Sequence, residues 1–493
     1  MVAQKSNAFS GNAMLTLREL EERIHDDDAA YIRQFGRRAG MKSGIIEGKK
    51  RLATSVLETF KAHFHGYGDR EVAIYYVPGR VEVLGKHTDY AGGHSLLAAI
   101  DRGCIAIAAL NETEVVRIVE NDPAFAPAEF LFSADLTPVP GDWSNYPMTT
   151  VKRLAANFGE RITFRGVDVA FGADLPVGGG MSGSSALMIM TFFAIAGPNR
   201  LFADEIFKRN IRDSIDLAMY LACVENGQTF RDLVGGKGVG TFGGSEDHTE
   251  ILNGKPRTLS IFQFCPTVHK ADIVFPEELT VAIAYSGVKA EKTREAMELY
   301  NLASRRAGLV VKVYNQKYGT NHTLLRDLFR EYTIDTLKRS NAGTSQRLKE
   351  IVGEIEMVSG IENDDLDLPG RFYQFAEEDQ RIIPDAARAL IVRDFNGLGL
   401  LIDQSHDLSR TYLRNIVPEV DALQKTAREL GAVAASGFGA GFGGSVYAFV
   451  RRGMEEEFIK RWWEAYQMEY QGLAEESQFF VTQPVGCAGE IFG

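Results

Sequence analysis

The sequence predicts a protein of at least two lobes that combines β-strands with α-helices. Its 493 residues exceed the length that one hydrophobic core usually organises. Short apolar segments alternate as strands do, and longer segments repeat their apolar residues at helical spacing. Both kinds occur on either side of a boundary that we place near residues 270–280, after a polar stretch that contains Pro266. We therefore expect a helical extension at 1–50, one lobe at 51–275 and another at 276–493.

Composition excludes several classes of function. The formal net charge is −12 and no cluster of lysine and arginine stands out, so a nucleic-acid-binding surface is not expected. The four cysteines are far apart, which argues against a zinc site or a disulfide framework and favours a cytoplasmic setting. The N-terminus has no apolar signal region, and the longest apolar run, at 186–195, is too short to span a bilayer.

The elements follow in order along the chain. The extension shows helical spacing with many charges, typical of a solvated amphipathic helix. In the first lobe, four segments alternate as strands, with Pro78 ending the first of them: Val72–Val77, Cys104–Leu110, Val115–Val119 and Val167–Phe171. Helical spacing in the extension and first lobe predicts four helices: Leu15–Phe35, Ile46–Phe64, Tyr146–Asn157 and Phe202–Gly227. In the second lobe we expect one strand and four helices: Thr280–Tyr285, then Lys292–Tyr318, Ile334–Ser359, Phe372–Leu390 and Phe395–Ser409.

A glycine-rich run at 176–185 leads directly into the apolar residues 186–195. Glycines allow a backbone to turn its N–H groups inward, and the start of a helix adds unpaired N–H groups and a positive dipole. Such a loop binds anions, most often phosphate. The plainer alternative is a flexible loop before a buried helix.

A second polar cluster lies in the turn after the strand around Val81. Lys86, His87, Asp89 and His94 are crowded between glycines there. Loops that a rigid sheet holds in place are frequent sites of binding groups. We therefore expect this turn to bind a ligand.

A third glycine-rich segment, 233–244, ends at the adjacent acids Glu246 and Asp247, with His248 beside them. Such a pair is usually part of a solvated turn. Close to a phosphate-binding loop, it becomes a candidate for a general base or a metal ligand.

The familiar nucleotide-binding motifs do not explain these loops. Residues 439–444, GAGFGG, formally match GxGxxG, but the segment after them alternates as a strand rather than opening a helix. The Walker pattern GxxxxGK[ST] and the protein-kinase motifs are absent from the sequence. Phosphate binding in this chain therefore requires another loop design.

Three motifs in order resemble the GHMP kinase family, and its galactokinase branch most closely. They are PGRVEVLGKHTDYAGG at 78–93, PVGGGMSGSSAL at 176–187 and SGFGAGFGGS at 436–445. Segments 289–307, 375–390 and 404–423 are also similar to galactokinases. The resemblance implies a two-lobed α+β fold with the active site between the lobes. The N-terminal lobe would resemble the second domain of ribosomal protein S5, and the C-terminal lobe would be ferredoxin-like.

The resemblance also implies roles for individual residues. Asp247 would be the catalytic aspartate, with Arg80 beside it. Mg²⁺ would be held by Glu225 and by Ser184, or by Ser185 if the loop is registered one residue differently. The residues that would bind ATP are Pro176, Gly178, Gly179, Gly180, Met181, Ser182, Gly183, Ser184 and Ser185. The residues that would bind the sugar are Lys86, His87, Asp89, Tyr300, Gly441 and Gly443.

This chain departs from the galactokinase pattern at several positions. Lys86 replaces a glutamate that binds sugar hydroxyls, and a lysine ammonium cannot accept a hydrogen bond. Glu82 replaces an asparagine. Glu246 and His248 replace methionine and glutamine, which leaves Glu246 as an alternative to Asp247. We expect Lys86 either to pair with Glu82 or Glu246, or to bind a negatively charged substrate group such as a uronate carboxylate.

The resemblance thus implies an ATP- and Mg²⁺-dependent kinase that acts on the 1-hydroxyl of galactose or a related sugar, including an acidic one. Its partners would be these small molecules, in a monomer or a small homo-oligomer. Two other functions stay open at this point. One is a sugar and ATP sensor without catalysis, and the other is a GHMP kinase for a different alcohol.

Overall fold

The computed structural model describes residues 14–25, 30–64, 68–139, 141–290, 294–329, 353 and 366–491. The helix expected at 334–359 lies outside these residues, apart from residue 353. Within the described ranges, every helix is too short or too polar to cross a membrane.

Strands and helices are mixed throughout the described residues, as the sequence predicts. The strands are β1 (Leu15–Thr16), β2 (Glu71–Leu84), β3 (His94–Leu110), β4 (Val115–Glu120), β5 (Ala128–Leu131), β6 (Val167–Ala173), β7 (Thr258–Gln263), β8 (Val268–Val274), β9 (Leu279–Tyr285), β10 (Ala434–Phe438), β11 (Ser445–Arg451), β12 (Gln478–Thr482) and β13 (Gly489–Glu490). The α-helices are α1 (Leu17–His25), α2 (Ala30–Arg38), α3 (Ser43–His63), α4 (Asn145–Phe158), α5 (Gly183–Ala196), α6 (Glu205–Asn210), α7 (Ser214–Asn226), α8 (Glu246–Asn253), α9 (Arg294–Tyr318), α10 (Leu368–Glu377), α11 (Ile383–Val392), α12 (Phe395–Leu408), α13 (Pro418–Glu429) and α14 (Glu455–Glu469).

A long hairpin of β2 and β3 organises the first sheet. In the described chain this sheet has nine strands, ordered β1-β2-β3-β6-β4-β5, with β7 and β8 continuing from β3 and β13 joining β2. Only the β4–β6 pair in this set is parallel. The turn between β2 and β3, residues 85–93, is the polar cluster that the sequence analysis singled out. The hairpin therefore carries that cluster at its tip.

The second sheet is antiparallel, with the order β10-β11-β9-β12 in the described residues. The chain passes from one sheet to the other between Val274 and Leu279. This crossing lies within the predicted boundary region. The C-terminus returns to the first sheet, where Gly489 pairs with Tyr76 of β2. The division into domains at residue 275 remains a prediction.

The N-terminal helices form part of the core. Leu20, Ile24 and Phe60 are fully buried in a cluster with Tyr76 and Ile107 of the first sheet. Helix α3 packs on β3 and β6. We therefore expect the extension to contribute to folding stability, because each buried side chain of this size contributes about 1.5–3 kcal/mol.

Strand β2 does not end at Pro78, as the sequence suggested, but continues to Leu84. The pairing register shifts between Pro78 and Arg80, and such an irregularity accommodates a residue that lacks an N–H group. From Arg80 to Glu82 the pairing with β3 is regular again. Arg80 and Glu82 therefore lie on one face of a strand.

The single helix expected at Phe202–Gly227 is also wrong. The structure has a short 3₁₀ turn at Leu201–Ala203, then α6 and α7. Each of these two α-helices is preceded by an aspartate that caps it: Asp204 accepts from the Phe207 N–H, and Asp213 accepts from the Asp216 N–H. These N-caps override the continuous apolar pattern.

Helix α5 follows the glycine-rich run and is apolar on all sides. Eleven of its fourteen residues are buried. It packs against β2, β3 and α4. A helix that is apolar all round belongs in a core, and here it fixes the position of the loop that precedes it.

Candidate active site

Arg80 and Asp247 form an ion pair at the centre of a cleft. Arg80 Nε and Nη2 both lie close to Asp247 Oδ1, at 2.8 and 2.7 Å. Arg80 is buried on β2, whereas the Asp247 side chain at the start of α8 is 34% exposed. A guanidinium in such contact favours the ionised form of the carboxylate.

Arg80 also contacts the glycine-rich run. Its Nη1 donates to the Gly180 carbonyl at 2.6 Å, and its backbone N–H donates to the Met181 carbonyl at 3.3 Å. One arginine thus connects the loop at 176–185 to Asp247. The two features that the sequence analysis treated separately belong to one site.

The backbone of this loop has the form of an anion-binding cradle. Gly178, Gly180 and Ser182 have left-handed φ values of 70°, 75° and 62°. Helix α5 begins at Gly183, immediately after them. Alternating left-handed residues turn successive N–H groups to one side, and the helix N-terminus adds a positive dipole. The loop and the helix together suit a phosphate group.

The second glycine loop, at 439–444, packs on the first. A Cβ atom at Gly439 would lie 2.6 Å from the Gly180 carbonyl oxygen, so a side chain there would push the two loops apart. Gly439 and Ala440 line the cleft. Gly441 and Gly443 lie close to Asn415 and Val288, and their expected role in binding the substrate stays a prediction.

Ser185 and Glu225 come together beside the loop. Ser185 Oγ lies 3.5 Å from Glu225 Oε2, and both side chains are buried and line the cleft. The described contacts bring Ser185, rather than Ser184, to Glu225. The alternative register of the loop is therefore the one that the structure favours. A hydroxyl and a carboxylate beside a phosphate cradle are oxygen ligands of the kind that Mg²⁺ prefers.

The two adjacent acids of α8 have different environments. Glu246 is buried and accepts a hydrogen bond from Ser95 Oγ at 2.6 Å. Burial and the neighbouring carboxylates Glu82 and Asp89 raise the pKa of Glu246 well above its usual value. Asp247 is the more exposed of the pair and holds Arg80. The two acids therefore differ in burial and in partners, and Asp247 is the one that is both exposed to the cleft and paired with Arg80.

The turn at 85–93 forms one wall of the cleft. The two ring nitrogens of His87 lie 2.9 Å from the Tyr90 hydroxyl and 3.1 Å from the Ala440 carbonyl oxygen. Burial and then the nearby Arg371 lower the pKa of His87 to about 4, so its ring is neutral near pH 7. The ring also packs against that of Tyr300, with 5.3 Å between centroids. Both ring nitrogens of His87 therefore have hydrogen-bond partners, and these contacts hold this wall of the cleft in place.

Asp89 faces the cleft on the same wall. It accepts a hydrogen bond from the Tyr90 N–H at 2.8 Å. Burial raises the pKa of Asp89 to about 6, which leaves it largely ionised at pH 7. Asp89 can therefore accept a hydrogen bond from a sugar hydroxyl.

Lys86 is buried and does not line the cleft. Its side chain is 2% exposed. Its ammonium group lies within electrostatic range of Glu82. Of the alternatives in the sequence analysis, the structure favours proximity to Glu82 over contact with a charged substrate.

Several residues that support this wall were missed from the sequence. Arg371 donates to the His87 carbonyl at 2.7 Å, and Gln374 donates to the Lys86 carbonyl at 3.1 Å. The other two are acids in a π-helical turn at Glu378–Ile382. Glu378 accepts from the Gly85 N–H at 2.8 Å, and Asp379 accepts from the His94 N–H at 2.6 Å. The sequence signal that could have identified these two acids is the segment FAEEDQRIIP. Its adjacent acids lie where the apolar pattern predicts a buried helix face, and buried acids are rare unless they have partners.

Comparisons with known proteins agree with this geometry. The galactokinase galactose-binding signature matches residues 58–110, which contain β2, the polar turn and β3. The C-terminal domain of GHMP kinases matches residues 386–467. The chain is therefore similar to GHMP kinases in two separate segments, and the first of these is similar to galactokinases in particular.

Curated proteins that are similar to this chain over most of its length are galactokinases. The galactokinase of Fusobacterium nucleatum is 25% identical over 443 residues, covering 89% of this chain and all of the relative. The galactokinase of Enterococcus faecalis is 26% identical over 404 residues, covering 81% and 91%. The match therefore extends over nearly the whole length of these relatives.

A solved structure supports the same fold. Lactococcus lactis galactokinase, crystallised with galactose, superposes with a TM-score of 0.68 at 20% identity, covering 89% of this chain and 99% of that one. Mevalonate kinase from Methanococcus jannaschii gives 0.50 at 16% identity, with 85% and 99% covered. The predicted two-lobed α+β GHMP kinase fold is confirmed.

Proposed function

We propose that this chain is an ATP-dependent kinase that phosphorylates the 1-hydroxyl of galactose or a related neutral sugar. The observation that carries this proposal is the position of Arg80, which contacts both Asp247 and the Gly180 carbonyl of the glycine-rich loop. The arginine thus links a candidate base to a candidate phosphate-binding loop. Transfer between a bound phosphate donor and an acceptor hydroxyl needs this arrangement.

The donor side rests on the loop and the start of α5. The N–H groups of residues 178–185 would bind the phosphates of ATP, and Ser185 with Glu225 would hold Mg²⁺. Mg²⁺ held by these two residues would supply positive charge that offsets the negative charge of the phosphates. Buried oxygen ligands 3.5 Å apart beside the loop suit this metal. Glu225 is buried, so its charge would be compensated by the ion.

The acceptor side rests on Asp247. Its carboxylate would accept the proton of the sugar 1-hydroxyl while the sugar oxygen bonds to the γ-phosphorus. The bond from the γ-phosphorus to the β–γ bridging oxygen breaks, and ADP leaves. Arg80 would keep Asp247 ionised and add positive charge close to the transferred group. The proton then passes from Asp247 to solvent.

The charge of the cleft favours a neutral acceptor. Glu82, Asp89, Glu246 and Asp247 line it together with Arg80. A uronate carboxylate in this cleft would lie among acids, and Lys86 is not among the residues that line it. Like charges at close range in a partly buried site oppose binding. We therefore do not retain an acidic sugar as the substrate.

A sugar panel tests the proposal. Purified protein would be assayed for ADP release with ATP and Mg²⁺, using galactose, glucose, galacturonate and mevalonate as acceptors. We expect turnover with galactose or another neutral hexose and little with galacturonate. Efficient phosphorylation of galacturonate or mevalonate would contradict the proposal. Release of ADP with none of several sugars would instead favour a sensor.

A further inference from the structure

Glu82 lines the cleft beside the catalytic pair. It lies two residues after Arg80 on β2, in a regularly paired part of the strand, so the two side chains share a face. Two residues of strand span about 6.6 Å. Glu82 is therefore the next residue after Arg80 on this face of β2, beside the ion pair that Arg80 forms with Asp247.

One carboxylate oxygen of Glu82 is bonded, and the other is not. Oε2 accepts a hydrogen bond from the Gly439 N–H at 3.2 Å. Oε1 is buried and has no hydrogen-bond partner in the part of the chain that the structure describes. Buried carboxylate oxygens are nearly always bonded, because an unsatisfied one is costly. An unbonded oxygen on a cleft-lining residue therefore indicates a missing donor.

Lys86, close to Glu82, has a buried donor, Nζ, without a hydrogen-bond partner within the described ranges. Among the charges that act on Glu82, Lys86 is the strongest that favours the ionised carboxylate, followed by Arg80. Glu378 acts in the opposite direction. Lys86 thus supports the charge of Glu82 without forming a direct ion pair.

Apart from Asp89, the other polar residues near this wall are less available to a sugar. Both nitrogens of His87 already have partners in Tyr90 and Ala440. Glu246 accepts a hydrogen bond from Ser95, and Lys86 does not line the cleft. Glu82 is therefore well suited to supply an acceptor on this wall for a hydroxyl distant from the reacting one.

We propose that Glu82 is a substrate-recognition residue whose Oε1 accepts a hydrogen bond from a sugar hydroxyl, and that Lys86 is a positioning residue that holds this carboxylate ionised. The proposal rests on the proposed sugar kinase function and specifies which side chain selects the acceptor. The hydroxyl is one other than the 1-hydroxyl, because Asp247 and Arg80 occupy that end. In the alternative, a water that bridges Glu82 and Lys86 donates to Oε1, and the test must distinguish this water from a sugar hydroxyl.

The first experiment compares Glu82→Gln with the wild type on galactose and on its 2-, 3-, 4- and 6-deoxy analogues. A hydrogen bond to a charged group is strong, so we expect the KM for galactose to rise about tenfold in Glu82→Gln. The KM for ATP should stay unchanged. One deoxy analogue should be poor with the wild type, and Glu82→Gln should lose most of that discrimination. The analogue identifies the hydroxyl.

Glu250→Gln is the matched control. Glu250 is also a buried glutamate with one backbone N–H bond, from Ala99, and one oxygen without a partner among the described residues, but it lies outside the cleft. Its replacement should leave the deoxy-sugar selectivity unchanged. If Glu82→Gln keeps every wild-type selectivity ratio, Glu82 does not recognise a hydroxyl and the proposal fails.

The second experiment tests Lys86 through Lys86→Met, alone and with Glu82→Gln. The charged and titratable groups facing Glu82 are Lys86, Arg80, Glu378, Glu246 and Tyr447. Burial raises the pKa of Glu82 to about 7, and Lys86 opposes that rise. Without Lys86, the acid limb of kcat/KM for the sugar should move to higher pH. In the Glu82→Gln background, Lys86→Met should add little.

A purely structural role for Lys86 would lower thermal stability and leave the position of the acid limb unchanged. That outcome would overturn the role given to Lys86. A protein that turns over no sugar would overturn the proposed function; sugar binding would then be measured calorimetrically with a non-hydrolysable ATP analogue. Binding that Glu82→Gln weakens about tenfold would still support the recognition role, and unchanged or absent binding would overturn it.

Discussion

Arg80 Nε donates to Asp247 Oδ1 at 2.8 Å and Nη2 forms an ion pair with the same oxygen at 2.7 Å, while Nη1 donates to the Gly180 carbonyl at 2.6 Å. The planar guanidinium is thereby fixed between α8 and the glycine-rich loop. The ammonium group of a lysine is a single point of charge on a flexible chain, so it could not make these contacts in one plane. The position of Asp247 relative to the loop therefore depends on this side chain.

The first prediction concerns Arg80→Lys. We expect kcat to fall at least about tenfold, because a lysine cannot bridge Asp247 and Gly180 with a fixed planar fork. The KM for ATP should rise, since the loop loses a hydrogen bond at Gly180. Steady-state kinetics with both substrates varied measures both effects. Wild-type kinetics in Arg80→Lys would show that charge alone suffices at this position.

The second prediction concerns the metal. Ser185→Ala and Glu225→Gln should each raise the Mg²⁺ concentration needed for half-maximal activity, because the first removes an oxygen ligand and the second removes the negative charge of one. A Mg²⁺ titration at fixed ATP measures this requirement. Ser184→Ala is the decisive comparison. A larger effect from Ser184→Ala than from Ser185→Ala would restore the register that we first expected from the sequence.

The third prediction concerns stability at Lys86. Lys86→Glu would bring a third acid close to the buried Glu82 and Glu378, so we expect a loss of about 3 kcal/mol in the free energy of unfolding. The loss should grow as pH rises and these acids ionise. Urea denaturation at several pH values measures it.

Lys270→Glu is the control for this experiment. Lys270 is exposed on β8, so the same change of charge there should alter the unfolding free energy by less than about 0.5 kcal/mol. Equal effects at the two positions would mean that burial of Lys86 is not what makes its charge important.

The fourth prediction concerns pH and Glu250. Burial raises the pKa of Glu250 to about 8, above its ordinary value of 4.5. Between these values the folded state binds more protons than the unfolded state, so stability falls as pH rises. The slope from this one group cannot exceed about 1.4 kcal/mol per pH unit. Glu250→Gln should flatten the decline between about pH 5 and 8. An unchanged pH profile would show that Glu250 ionises normally.

The sequence predicted most of the local elements but not the long-range contacts. Apolar alternation located β4, β6 and β9 to within a few residues, because local pattern determines such strands. Pro78 was taken to end β2, since its cost in a strand is clear from sequence. The shift in pairing that accommodates it depends on β3 and is not visible locally.

The candidate site shows the same limit. The motifs indicated Arg80, Asp247 and the glycine-rich loop, because each is conspicuous within a short segment. The choice of Ser185 over Ser184 depends on a one-residue register relative to Glu225, forty positions away. Glu378 and Asp379 reach the polar turn across nearly 300 residues. Only the fold brings such groups together.

The most direct test of the central claim is the position of the transferred phosphate. Wild-type protein and Asp247→Asn would be incubated with ATP, Mg²⁺ and galactose, and the products followed by phosphorus NMR. We expect galactose 1-phosphate from the wild type and a rate about 10²–10⁴ times lower from Asp247→Asn. Asp135→Asn, an exposed aspartate outside the cleft, should match the wild type. Phosphate on another hydroxyl, or an undiminished rate in Asp247→Asn, would contradict the account.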